Sequence, residues 1–243
     1  MESKVTKMEL CLGTVQFGLD YGIVGQKKPK LEDSVRWIDF ATQNGIHAID
    51  TATAYGNAEE VVGSFLRKKT IDRSNLFISS KMLPNILDDY KPVDYSRVIR
   101  EHLVKSLETL GTDYLDAYLM HSARYAYNDE ILEALYKVQK EGLACKVGVS
   151  VYEPDEAKAC FANSNVSFTQ FPYSIFDHRM KDNDIFSIGK RSGCQMHVRS
   201  AFIQGLILMD EDNVPDFLAE AKLIITKLKK ISQETNIPRV ALA

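Results

Sequence analysis

The chain has 243 residues, enough to bury a core without disulfide staples and close to the ~250 residues of one α/β barrel, although two smaller domains would also fit. Hydrophobic residues make up 45% and charged residues 26%, which excludes collagen-like, low-complexity and wholly disordered chains. With 30 basic and 33 acidic residues the net charge is −3, so no general positive field draws nucleic acid or anionic lipid. No stretch approaches the ~18 apolar residues of a membrane span, and residues 1–10 hold no apolar run long enough for a signal peptide. Cys11, Cys145, Cys160 and Cys194 form no CxxC pair, and no histidine cluster has metal-ligand spacing. The expectation is a cytoplasmic protein without a metal, with three of its thiols buried inside apolar runs.

In chain order, short apolar or β-branched runs occupy 8–15, 46–52, 76–81, 114–121, 145–151, 166–171 and 195–200. Longer stretches of helical period separate them. Trp37, Ile38 and Phe40 lie on the first, where helix packing is expected. Ile99, Leu103, Leu107 and Leu110 repeat at helical spacing, as do Ile131, Leu135 and Val138. Phe217, Ala221, Ile224, Leu228 and Ile231 predict one face of a long late helix. Gly45, Gly111, Gly142 and Gly193 fall where helices should stop. Strands alternating with helices imply a parallel sheet, either doubly wound or closed into a barrel. No GxGxxG or GxxxxGKS stands at a strand-to-helix turn, which favours the barrel.

In a barrel, reactive groups gather at the carboxyl ends of the strands. The second run ends at Asp50, with Tyr55 in the following loop; the third ends at Lys81 and the fourth at His121. The fifth ends at Ser150, the sixth carries Gln170, and the seventh ends at Arg199 and Ser200. Taken singly, each has a structural explanation such as a helix cap or a solvated charge. Together they suit one chemistry. A phenol, with a pKa near ~10, is a poor acid at neutral pH, and a nearby ammonium favours its ionised form. Lys81 would act in this way on Tyr55, Asp50 would hold Lys81, and His121 would donate to a substrate carbonyl or relay a proton. Protonating a carbonyl oxygen requires a partner that reduces the carbon, and no side chain does so; a hydride cofactor is therefore implied.

The sequence resembles the aldo-keto reductase family. The resemblance is carried by Leu12-Gly13-Thr14, Ile49-Asp50-Thr51-Ala52 with Tyr55-Gly56, Ser80-Lys81, and Tyr114-Leu115-Asp116 ending at His121. It continues through Lys146-Val147-Gly148-Val149-Ser150, Gln170 and the run from Arg199 to Leu206, in the family's order. It implies a (β/α)8 TIM barrel binding NADP(H) across its mouth, with Tyr55 as general acid/base and Asp50, Lys81 and His121 as its partners. It implies that Thr14 and Asp50 line the cofactor site and that Ser150 and Gln170 hold the nicotinamide carboxamide. Arg199, Ser200, Ala201, Phe202, Gln204 and Gly205 would lie along the cofactor, the loop from Ser200 against the pyrophosphate. Where the family commonly has Asn after the GVS serine this chain has Val151, and where an aromatic residue often ends strand seven it has Arg199. A guanidinium can stack on a ring, and its charge also suits an acidic substrate or a phosphate.

In the family, a segment like residues 238–243 leads into strand eight and a last helix, with the residues that grip the adenosine 2′-phosphate. The expectation is therefore one domain, residues 1–243, on a barrel lacking strand eight and the last helix, with an open seam that a partner or neighbouring segment would fill. The leading functional expectation is NADP(H)-dependent reduction of an aldehyde or ketone; the run from Arg199 resembles members associated with sugar-related carbonyls. The alternatives are a non-catalytic or partner-dependent cofactor-binding barrel, and a lyase using Lys81 as a Schiff-base nucleophile.

Overall fold

A computed structural model describes residues 9–243. Seven parallel strands form one sheet in sequence order: β1 (Cys11–Gly13), β2 (Ala48–Asp50), β3 (Phe77–Lys81), β4 (Leu115–Met120), β5 (Ala144–Ser150), β6 (Phe168–Pro172) and β7 (Gln195–Arg199). The helices are α1 (Val15–Gly18), α2 (Leu31–Gln43), α3 (Ala58–Leu66), α4 (Pro92–Leu110), α5 (Asp129–Lys140), α6 (Pro154–Ala162), α7 (Arg179–Asp182), α8 (Ile185–Ser192), α9 (Ala221–Thr235) and α10 (Arg239–Leu242). None of them is long and apolar enough to cross a membrane.

The sheet is curled. Gln170 on β6 donates to Asp50 on β2 at 3.0 Å although three strands separate them in the sheet. Lower down, Phe77 of β3 stacks on Phe168 of β6 at 5.7 Å, and His197 of β7 packs edge-on to Phe168 at 4.5 Å. Side chains alternate faces along a strand. Phe77, Ser79 and Lys81 therefore share the concave interior, while Ile78 and Ser80 face the helical layer. The interior is stacked in layers, apolar below and polar above, as in filled barrels. His197 faces this interior, its ring against Phe77 and Phe168. Among the described residues β7 and β1 do not pair with each other.

The outer face of the sheet is covered by α3, α4, α5 and their neighbours. Ile99, Leu103, Leu107 and Leu110 of α4, and Ile131, Leu135 and Val138 of α5, are all buried there. Gly111 and Gly193 end α4 and α8 at left-handed φ of 70° and 76°, a conformation open to a residue without Cβ.

Several expectations need correction. The late helix begins at Ala221, and Phe217 lies in a separate 3-10 turn, Asp216–Leu218, just after Pro215. The buried stripe of α9 is Ile225 and Leu228, so Ile224 and Ile231 are exposed and Phe217 is 76% exposed. Trp37 packs against Phe17 of α1 with ring centroids 6.1 Å apart, as expected of helix packing, but is 54% exposed, while Ile38 between it and Phe40 is buried. Of the thiols, Cys160 and Cys194 are buried, whereas Cys11 and Cys145, each within the first two residues of its strand, are exposed. The strands are also shorter than the apolar runs: Val15 opens α1, and Met8 lies outside the described residues.

Candidate active site

The polar layer of the interior is built by consecutive strand ends. Asp50 closes β2 with its side chain 13% exposed, and Lys81 closes β3 with its side chain 0% exposed. Lys81 Nζ donates to Asp50 Oδ2 at 2.7 Å and to the Thr51 carbonyl at 2.9 Å. Asp50 Oδ1 accepts from Ser79 Oγ at 2.7 Å and from Gln170 Nε2 at 3.0 Å. Both carboxylate oxygens are thus engaged, as burial of an ion pair requires. Burial alone would raise the Asp50 carboxyl. The Lys81 charge and the hydrogen bonds from Lys81, Ser79 and Gln170 more than offset it and hold the carboxyl below its ordinary value.

Tyr55 lies over this pair. Lys81 Nζ is 5.0 Å from the centroid of its ring, within cation–π range. His121, just past β4, meets the same ring edge-on with centroids 5.7 Å apart. Its Nδ1 is buried without a hydrogen-bond partner. Burial first, then the positive charge of Lys81, push the His121 imidazole down to about 4, against a weaker opposing pull from Asp50. His121 is therefore neutral at pH 7, with one N–H to offer and one lone pair. Ring-proton NMR across pH is expected to find it uncharged at pH 6, where an ordinary imidazole with pKa near ~6.5 is mostly protonated. A midpoint near the ordinary value would contradict this environment.

The chain trace seats Tyr55. Gly18 ends α1 so close to the Tyr55 loop that a Cβ there would stand 1.6 Å from the Tyr55 carbonyl oxygen. Gly56, at φ +58°, faces back, and its Cβ would stand 2.3 Å from the Gly18 carbonyl oxygen. Backbone lies directly on backbone, a contact that only glycine permits.

The four residues predicted from strand ends therefore converge. A model described as the Aldo/keto reductase family matches residues 9–243. The chain belongs to the aldo/keto reductase family. It is 30% identical over 174 residues to an uncharacterised oxidoreductase, YqkF, of Bacillus subtilis, covering 69% of this chain and 55% of that one. It is 37% identical over 124 residues to methylglyoxal reductase DkgA of Escherichia coli, covering 50% and 42%. Among solved structures, the holo form of aldo-keto reductase AKR11C1 from Bacillus halodurans superposes with a TM-score of 0.67 at 26% identity, covering 82% and 64%. The chain spans about half the length of the curated relatives it matches.

The remaining predicted residues of this family member lie on or just after β1, β5, β6 and β7. Thr14 is buried beside β2, and both its amide and its hydroxyl donate to the Asp50 carbonyl at 3.0 Å. Ser150 at the end of β5 pairs in register with Gln170 in the middle of β6, and the serine hydroxyl donates to Gln170 Oε1 at 3.4 Å. Arg199 lays its guanidinium over the Tyr152 ring at 4.3 Å and donates to the Val151 carbonyl at 3.1 Å. Among the described residues it has no acidic partner. Beyond it, Ser200, Ile203, Gln204 and Gly205 all adopt positive φ, and the amides of Ala201 and Phe202 have no partner within the described chain.

Two contributors escaped the strand-end argument. Ser79 stands two residues before Lys81, so alternation along the strand places it on the same face. Tyr152 stands two residues past Ser150 and is half-exposed under Arg199. Lys81 is a poor candidate for Schiff-base chemistry, which needs a neutral, open amine, because its nitrogen is fully buried in an ion pair.

Proposed function

We propose that this chain reduces an aldehyde or ketone with NADP(H), using Tyr55 as the proton donor to the carbonyl oxygen. The observation that carries the proposal is the buried Asp50–Lys81 pair placed under the Tyr55 ring with neutral His121 at its edge. When bound, the cofactor supplies the hydride. The chain's own residues do the rest. Tyr55 delivers a proton to the oxygen as negative charge develops there, and Lys81 stabilises the phenolate left behind. Asp50 fixes Lys81. His121, being uncharged, offers a hydrogen bond to the carbonyl without competing as an acid.

The residues present fit a dinucleotide phosphate. Arg199 has guanidinium N–H groups to spare, and the free amides of Ala201 and Phe202 lie in a loop of repeated positive φ, which suits an anion. Ser200, Gln204 and Gly205 complete that loop, and Thr14, Ser150 and Gln170 would face the nicotinamide end. The DkgA relative is named for methylglyoxal, and the run from Arg199 resembles members acting on sugar-related carbonyls. A small carbonyl compound of one of these two kinds is the proposed substrate.

The test is a fluorescence titration with NADPH, followed by NADPH oxidation with methylglyoxal, glyoxal and a panel of sugar aldehydes. Saturable binding with turnover of any of them is expected. Binding without turnover would favour a non-catalytic cofactor-binding barrel, and absence of both would overturn the proposal.

A further inference from the structure

Behind the polar layer, on the helical side of β3, lies a second buried polar cluster that the proposed chemistry does not use. Its centre is Glu59 on α3, only 7% exposed. Glu59 Oε1 accepts from Ser80 Oγ on β3 at 2.6 Å. Ser106 on α4 stands beside the carboxyl, close enough to favour its charged form, and its hydroxyl lies 3.3 Å from Thr53 Oγ1 in the loop after β2. Ser80 and Ser106 are buried. The hydroxyl of Tyr118 on β4 is buried nearby with no partner of its own.

The placement of these groups is specific. Thr53 precedes Tyr55 by two residues, and Glu59 follows it by four. Ser80 immediately precedes Lys81. The cluster thus joins both flanks of the segment bearing the phenol to the strand bearing the ammonium, and the Thr53 amide adds a bond to the Lys81 carbonyl at 3.1 Å. An apolar side chain of similar size would fill this space without burying a carboxyl but would leave the Ser80 hydroxyl unpaired, so what the carboxyl adds is its bonds. Burial, the dominant influence, pushes the Glu59 acid up, against Ser80, Ser106 and Lys81. The carboxyl has two oxygens, so while one accepts from Ser80 the other remains open to a second hydroxyl.

We propose that Glu59 is a positioning residue that, through Ser80, Ser106 and Thr53, clamps the Tyr55 segment to the Lys81 strand. This rests on the reading of Tyr55 and Lys81 as the proton-donating pair. Misplacement of such a pair by ~1 Å costs on the order of a hundredfold in rate.

Three variants test the clamp: Glu59→Leu, which keeps the volume and removes the bonds, Glu59→Gln, which keeps an acceptor and a donor, and Ser80→Ala, which removes one bond and little volume. Glu59→Leu is expected to remain folded with a lowered melting temperature, because the buried Ser80 hydroxyl loses its acceptor, and to keep its NADPH affinity while kcat falls at least about tenfold. Glu59→Gln should retain at least half of kcat, and Ser80→Ala should fall between. Hydrogen exchange read by mass spectrometry should quicken in residues 51–57 and 80–82 of Glu59→Leu and not of Glu59→Gln. A folded Glu59→Leu with kcat within twofold of the parent and unchanged exchange would overturn the proposal. If Glu59→Leu does not fold, parental kcat in Ser80→Ala overturns it equally. If the parent itself reduces no carbonyl, the catalytic reading fails, and the exchange data alone decide whether the clamp exists.

Discussion

Tyr55→Phe is expected to lower kcat for carbonyl reduction by about 10²–10⁴-fold, the range of a lost general acid, with NADPH affinity unchanged. The phenylalanine ring preserves the edge contact to His121 and the face over Lys81. Only the hydroxyl disappears, so packing changes are excluded as the cause. Neither neighbour can take over: Lys81 is tied to Asp50 and the Thr51 carbonyl, and His121 is uncharged at neutral pH. Steady-state kinetics with a parallel fluorescence titration read the two effects apart. A variant that keeps most of its turnover would show that the proton comes from elsewhere.

Asp50→Ala is expected to destabilise the fold by about 3–5 kcal/mol, the cost of leaving one member of a buried pair uncompensated. Lys81, fully buried, would lose its counter-charge, while Ser79 and Gln170 would lose their acceptor. Urea unfolding at neutral pH measures the loss. The pH dependence carries its own sign. Because the folded protein holds the Asp50 carboxyl below its ordinary value, the stability it contributes is fully present above the unfolded carboxyl pKa, ~3.9. That contribution disappears as pH falls through the lowered value. The gap between parent and variant should therefore be constant from neutral pH down to about the unfolded value and close below it. A gap already closing at pH 6 would show that the carboxyl is not held ionised by Lys81. Double substitution of Asp50 and Lys81 by apolar residues should recover part of the stability and none of the activity.

The strand-end residues were legible because a parallel barrel exposes one end of every strand, and a polar residue closing an apolar run has few other reasons to be there. Asp50, Lys81 and His121 follow from that rule, and Tyr55 from the loop that must pass over them. Glu59 could not be found in the same way. It sits on an amphipathic helix beside Glu60, and nothing in the local pattern says that one of the two acids is sealed against β3 while the other meets solvent. Gly18 was equally silent, because its importance lies in a contact with residue 55 that no spacing encodes. The late helix was misjudged for a related reason. Helical period identifies which residues share a stripe, but Pro215 and the 3-10 turn at Asp216–Leu218 shift the start of α9, and with it the stripe that turns inward.

The seating of Gly18 against Gly56 has a consequence for how this protein can be altered. The position of the phenol is set by two main-chain segments resting on each other, not by the side chains that line the mouth. Residues of the mouth that hold neither the Asp50–Lys81 pair nor the proposed cofactor are therefore free to be exchanged when a different substrate is wanted, and randomised libraries can spend their diversity on them. Positions 18 and 56 behave in the opposite way. Every substitution there lifts one segment off the other, so they act as a fixed datum from which the geometry of the pocket is measured.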